Sequence, residues 1–340
     1  MMDAQDLRDL QALDLEHKLI ITRGRIEEWY EHWKGQVYVS FSGGKDSTVL
    51  LHIVRQLYPE VPAVFVDTGL EYPEIREFVK TKENIIWLKP KKSFKQVIEK
   101  HGYPVISKEV SGNISWARNK PEGRAAQKFN TDSWYCRKYG KRYDLSKWKF
   151  LLESDIPISD YCCDVLKKNP IKHYEKETDK KPILATMVWE SALRRNSWFK
   201  SGCNGFNAKR PISQPLSFWT EQDILQYLKQ FNIPYASIYG DIVENEHGEL
   251  MTTGASRTGC MFCMFGVHLE PEPNRFQRMA RTHPKLYRYC IGGGQWVGGK
   301  WKPSDEGLGL GYVLQYIGVE YRDIGVYEED QPDLFAEVMV

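Results

Sequence analysis

The segment Ser42-Gly43-Gly44-Lys45-Asp46-Ser47 gathers residue types suited to holding phosphate. Paired glycines let the backbone turn sharply and bring several N–H groups close to an anion, and a helix N-terminus adds partial positive charge. The hydroxyls of Ser42 and Ser47 offer further donors and Lys45 a point charge, while the Asp46 carboxylate suits a Mg²⁺ bridging phosphates. A turn that only joins a strand to a helix needs neither the Lys-Asp pair nor two flanking serines. The Gly-x4-Gly-Lys-Ser/Thr spacing of a Walker loop is absent.

A second group is sulfur-based. The adjacent pair Cys162-Cys163 and the Cys260-x-x-Cys263 turn offer four thiolates, enough to close a tetrahedral zinc site or a [4Fe–4S] cluster. Seven cysteines is an odd number, and these placements are poor starting points for a secreted disulfide framework, so they point to a reducing compartment. Cys203 is a candidate substitute ligand or a second reactive thiol, His268 could complete a zinc set or be a surface or satisfied histidine, and Cys136 and Cys290 read as plain residues.

The third group is the basic and aromatic stretch 108–150, which includes Trp116, Lys120, Arg124, Trp134, Tyr135, Arg137, Lys138, Lys141, Arg142, Tyr143 and Trp148. One reading is a nucleic-acid surface that combines phosphate contacts with stacking rings. The other is a solvated helical insertion whose tryptophans pack inward.

The elements that must position these groups follow from periodicity. Leu19, Ile20, Ile26, Trp29, Tyr30 and Trp33 recur at mostly helical spacing and predict an amphipathic lead-in helix within 17–34. Val37–Phe41, Ala63–Asp67, Ile85–Leu88 and Ile183–Met187 read as buried strands, with helices over 48–57 and around 71–80. Thr220 caps a further helix that ends near Phe231. Alternating strands and helices predict an α/β fold, a parallel twisted sheet with helices on both faces and ligands at the strands' carboxyl ends. Three parts are expected: a helical lead-in over 1–35, a nucleotide-binding domain over 36–240 with the basic aromatic stretch inserted, and an irregular Gly-rich C-terminal extension over 241–340.

Composition narrows the function classes. Lys and Arg number 47 against 45 Asp and Glu, so any polyanion site must be a local patch. No apolar run reaches bilayer-spanning length and the first fifteen residues are acidic and polar, which together give the expectation of a cytoplasmic protein without a membrane partner.

With these residues in view, the chain resembles the PP-loop ATP pyrophosphatases, which share a Ser-Gly-Gly-x-Asp-Ser signature, and more closely their phosphoadenosine phosphosulfate reductase branch. Matching landmarks run in order: the loop at Ser42, Val66-Asp67-Thr68-Gly69 with Tyr72-Pro73-Glu74, the paired cysteines followed by Lys167 and Pro170, Pro215-Leu216, Trp219-Thr220 and Asp223, Ile233-Pro234-Tyr235, Tyr239, and Gly259-Cys260-x-x-Cys263. The resemblance covers roughly residues 20 to 265. It implies an adenine nucleotide α-hydrolase-like fold, ATP with Mg²⁺ in the loop, Asp67, Thr68 and Gly69 as further nucleotide contacts, and a [4Fe–4S] cluster on Cys162, Cys163, Cys260 and Cys263 in preference to zinc. In this branch a Gly-x-Arg pattern leading to Glu-Ser-x-x-Arg, or a close variant, helps bind nucleotide and sulfate. Glu190, Ser191 and Arg194 carry over, whereas Val188 stands at the first arginine and removes a bidentate anion partner. Read by spacing alone, Glu190 and Arg194 form an i,i+4 surface pair.

One departure redirects the expected reaction. Assimilatory reductases of this family attack their substrate with a cysteine in a C-terminal Glu-Cys-Gly-Leu-His segment; here no cysteine follows Cys290, whose neighbours do not match. The resemblance then points to the branch that uses ATP to activate an oxygen for replacement by sulfur. Lys45, Asp46 and Arg194 are the expected catalytic residues, DNA or tRNA the expected sulfur acceptor, and a separate protein the expected sulfur donor. The alternatives are a sulfonucleotide reductase and an ATP-binding regulatory partner that transfers no sulfur.

Overall fold

Short apolar segments build the central sheet of the structure, a computed structural model that describes residues 3–323. Its strands are β1 (Val37–Ser40), β2 (Ala63–Val66), β3 (Ile85–Leu88), β4 (Lys181–Ile183), β5 (Asn204–Gly205) and β6 (Ile212–Ser213), in the spatial order β3-β2-β1-β4-β6-β5. All pairings are parallel except that of β5 with β6. Side chains alternate between the faces with period two, and here both sets are apolar. Val37, Val39, Ala63 and Phe65 join the main core; Tyr38 and Val64 join a smaller cluster on Tyr174 of the helix Asn169–Thr178. A sheet covered on both faces is the consequence.

Helix α1 (Ala4–Ala12) leads into α2 (Leu15–His32), which buries Leu15, Leu19, Thr22, Ile26 and Trp29 along one stripe. Ile20 falls off that stripe and is exposed, and Lys18 falls on it. The buried Lys18 ammonium donates to both carboxylate oxygens of Asp223 at 2.8 and 2.7 Å, tying α2 to the capping box of the helix Glu221–Gln230. Helix α3 (Lys45–Leu57) starts three residues earlier than the apolar pattern predicts, because Gly44 is its N-cap and the loop's own Lys45, Asp46 and Ser47 form its first turn. Helix α4 covers Pro73–Lys80. The strand expected over 183–187 is instead Lys181–Ile183. Just beyond it the Leu184 N–H still donates to the Ser213 carbonyl of β6 at 2.8 Å, and Leu184, Ala185 and Thr186 line a cavity.

These elements belong to one compact unit, Met1–Asp67, Glu71–Lys89 and Pro170–Gly259. A second unit comprises Thr68–Leu70, Pro90–Asn169 and Cys260–Val340, so the stretch 108–150 falls within it. It contains a two-stranded parallel pairing of Val105–Ile106 with Met264–Phe265 and an antiparallel hairpin of Gly294–Val297 with Lys300–Pro303. The Gly-rich C-terminal region adds helices Arg275–Thr282, Pro284–Ile291 and Leu310–Tyr316. Residues 324–340, the end of the expected extension, lie outside the described residues. Among the described residues no helix is long and apolar enough to cross a membrane.

Candidate phosphate site and cysteine pocket

In the first unit the chain leaves β1, turns through Phe41–Gly44 and enters α3. Gly43 makes the turn possible: its φ is +74°, and a Cβ there would lie 2.7 Å from methyl carbons of Ile75 and Val79. The serines stiffen the loop from within. The Ser47 hydroxyl donates to the Gly44 carbonyl at 2.9 Å and accepts the Ser42 N–H at 3.2 Å, and the Gly44 N–H donates to Ser42 Oγ at 3.3 Å. The side chains that sequence reading assigns to phosphate thus hold the loop's backbone in shape.

A cavity of about 310 Å³ opens over this turn. It is lined by Ser42, Gly44, Lys45, Asp46, Ser47, Glu190 and Arg194 among the expected site residues, joined by Tyr239, Arg257 and Thr258. Lys45 is only 4% exposed; its ammonium donates to the Ser256 carbonyl at 2.9 Å and lies 3.1 Å from Glu221 and 3.5 Å from Asp46. Tyr239 accepts the Lys45 N–H at 3.3 Å, shares a 2.7 Å hydrogen bond with Thr258 and places its ring 5.6 Å from the Lys45 ammonium. Glu190 is nearly buried and forms ion pairs with Arg194 and Arg257, the latter lying over the Trp189 ring. The Glu190–Arg194 pair is therefore part of the cavity wall.

The charges of this cluster nearly cancel: Lys45, Arg194 and Arg257 face Asp46, Glu190 and Glu221. Burial raises the Asp46 carboxyl above the ordinary carboxylate range, with Lys45 and Arg257 acting in the opposite direction. Burial lowers the Arg194 guanidinium, assisted by the like charge of Arg257. One Asp46 oxygen, Oδ1, is buried and makes no hydrogen bond, with the Lys45 ammonium 3.5 Å away as its ion-pair partner. A buried carboxylate oxygen with spare lone pairs beside a phosphate-sized cavity fits a Mg²⁺ ligand.

The remaining expected nucleotide residues sit elsewhere. Gly43 shapes the turn without lining the cavity, and Ser191 caps the helix Ala192–Ser201, accepting the Arg194 N–H. Asp67 follows β2 and pairs with Arg76 at 2.8 Å; Thr68 and Gly69 belong to the second unit. Arg257, Tyr239 and Thr258 were missed as site residues. Arg257 supplies to the cavity a guanidinium that position 188 lacks, and its one sequence signal is its place in Ser256-Arg257-Thr258-Gly259, directly before Cys260.

In the second unit all four expected metal cysteines line one small apolar pocket with Leu70, Phe94, Pro104, Leu166, Lys167 and Phe262. Cys162 and Cys163 lie on a helical turn (Tyr161–Cys163) that runs into a π-helical segment, Asp164–Lys168. Cys163 is lowered to about 6 by the hydrogen bond from Cys162, with Lys108 and Lys167 also favouring its thiolate; the same bond raises Cys162. Four thiols converging on a pocket with lysines nearby fit a thiolate-ligated centre in donor type. As placed, no three His, Cys, Asp or Glu among the described residues are spaced to hold a metal ion. Cys203 lies in the first unit, buried 3.3 Å from the Ser217 hydroxyl, and His268 packs against Trp148; neither lines this pocket. Cys290 is buried, and that burial raises its thiol.

A strand, a Ser-Gly-Gly-Lys-Asp-Ser turn and a helix on a parallel sheet, with a charged cavity at the strand ends, define a PP-loop nucleotide-binding fold. The family profile described as the phosphoadenosine phosphosulfate reductase domain matches residues 36–266, and the chain belongs to that family of enzymes. Two uncharacterized proteins of Methanocaldococcus jannaschii are 23% and 26% identical, each over 78% of this chain; the chain spans 50% and 42% of their own lengths. A phosphoadenosine 5'-phosphosulfate reductase of Xanthomonas campestris is 22% identical over 69% of this chain and 79% of its own. A phosphoadenylyl-sulfate reductase crystal structure from Candida auris, in a phosphate complex, overlaps 73% of this chain and 98% of its own at 13% identity, with a TM-score of 0.37.

Proposed function

We propose that this chain binds ATP in the cavity over the Ser42–Ser47 loop, cleaves it between the α- and β-phosphates to adenylate a substrate oxygen, and so supports replacement of that oxygen by sulfur on a nucleic acid. The observation that carries this reading is the convergence of the buried Lys45 and the part-exposed Arg194 and Arg257 on a cavity beside Asp46, whose buried Oδ1 makes no hydrogen bond and lies 3.5 Å from the Lys45 ammonium. In the chemistry proposed, the acceptor oxygen bonds to the α-phosphorus, the bond from that phosphorus to the bridging oxygen breaks, and pyrophosphate leaves with both electrons. A sulfur nucleophile then displaces AMP from the activated carbon.

The residues have separable tasks. Lys45 and the N–H groups at the start of α3 hold phosphate oxygens, and Asp46 would hold Mg²⁺, which when bound neutralises the charge developing on the leaving pyrophosphate. Incoming phosphates compete with Glu190 for Arg194 and Arg257, exchanging carboxylate partners for phosphoryl oxygens. Tyr239 fixes the Lys45 backbone. Cys162, Cys163, Cys260 and Cys263 would hold a [4Fe–4S] cluster, whose chemistry when bound is electron transfer or sulfur handling.

The reductase alternative would need a nucleophilic cysteine, and Cys290 is buried and lacks the flanking residues of a Glu-Cys-Gly-Leu-His segment. Anaerobic protein should be incubated with ATP, Mg²⁺ and a nucleic-acid acceptor (total tRNA or single-stranded DNA) and, separately, with adenylyl sulfate plus reduced thioredoxin. Pyrophosphate from ATP without sulfite from adenylyl sulfate is expected; sulfite release would overturn the proposal in favour of a reductase.

A further inference from the structure

The stretch 108–150 holds eleven Lys and Arg against four Asp and Glu, a local surplus of seven in a chain whose net charge is +2. Two of its three tryptophans do not follow the inward-packing reading. Trp116 is 60% exposed, Trp134 and Tyr139 each 48%, and in the short helix Trp134–Tyr139 only Cys136 is buried. The rings instead pack on one another at the surface: Trp134 on Tyr135 at 5.6 Å between centroids, Tyr135 on Tyr139 at 4.7 Å, and Tyr139 on Tyr143 at 6.2 Å. Cations lie over this ladder, Lys138 at 5.3 Å from the Tyr139 ring and Arg142 at 5.8 Å from Tyr143. Two of the four acids are engaged locally, Asp144 with Ser146 and Thr131, and Glu109 with Lys128.

We infer that this ladder in the second unit is a binding surface for single-stranded nucleic acid. Half-exposed rings offer faces to unstacked bases and the interleaved cations offer partners to the backbone phosphates, a combination that tolerates any sequence. Bases in a duplex are already stacked and paired, so the rings discriminate strand from duplex. The inference rests on the proposed nucleic-acid acceptor only for its purpose; the binding itself requires neither ATP nor a cluster.

Fluorescence anisotropy with a labelled 15-nucleotide strand, as DNA or RNA, and the matching duplex tests it on the full chain without ATP. Single strands of either sugar should bind more tightly than duplex. Trp134→Ala should weaken strand binding on the order of tenfold while Trp134→Phe retains most of it. The Lys138→Ala/Arg142→Ala pair should flatten the slope of log affinity against log salt by about 1.4. Equal affinity for duplex, no strand binding at low salt, or a Trp134→Ala variant that binds like the parent would overturn it. Slow hydrolysis of ATP to AMP and pyrophosphate without any strand, with water supplying the attacking oxygen, separates this failure from failure of the adenylation reading, since the ladder variants should leave that release unchanged.

Discussion

Asp46 combines burial, a cationic neighbour and a buried oxygen without a hydrogen bond, and each has a measurable consequence. Its carboxyl is raised in the folded chain, so between the unfolded and folded values folding takes up a proton, and this group's contribution to stability falls as pH rises through that window. Mg²⁺ binding, which needs the carboxylate, should release a proton within the same window and strengthen as pH rises through it. Asp46→Asn should abolish Mg²⁺-dependent pyrophosphate release while raising the apo melting temperature by roughly 1–3 °C, read by calorimetry at neutral pH. Gly43→Ala makes the opposite kind of lesion: a positive φ and a 2.7 Å approach to Ile75 and Val79 should cost about 1–3 kcal/mol in chemical denaturation and displace the loop. Residue types made the loop legible in the sequence. The internal bonding of Ser42 and Ser47 was not legible, because a hydroxyl's partner depends on backbone direction, and Arg257 was hidden because its partner Glu190 is 67 positions away.

At the level of elements, the helices before and after β1 are set by different forces. Gly44 starts α3 inside the motif, so the helix dipole and the phosphate loop are one construction. The lead-in helix is held by apolar burial and by the Lys18–Asp223 pair. Lys18→Met keeps the stem but leaves the Asp223 carboxylate buried without its cation, and should lower unfolding free energy by about 3–5 kcal/mol in urea titration. Apolar periodicity revealed the strands at 37, 63 and 85 and the capped helix after Thr220. It overran the strand at 181, since the apolar run continues through Leu184, which keeps one bond to Ser213, and Ala185, and both line a cavity. Glycine in the C-terminal region was equally ambiguous. Gly294 is needed because a Cβ there would overlap the Trp301 ring, a requirement of close packing that composition does not distinguish from flexibility.

Over the whole molecule, two chemistries reside in two compact units whose segments interleave along the chain: the phosphate cavity in the first, the cysteine pocket and aromatic ladder in the second. The four cysteines, apart by about a hundred positions as two pairs, were legible as a set because thiol spacing is distinctive; their shared pocket required the fold. Anaerobically purified protein should carry about four iron and four sulfide per chain, lost in a Cys162→Ser/Cys260→Ser variant; one zinc per chain without sulfide would contradict the cluster. ATP labelled at the α-phosphorus, incubated with protein, Mg²⁺ and a single-stranded acceptor and resolved by chromatography, should yield label in AMP or an adenylated product, with pyrophosphate in equal amount and none of either from Asp46→Asn. Label in ADP with orthophosphate released, or unchanged yields from Asp46→Asn, would contradict the proposed cleavage between the α- and β-phosphates.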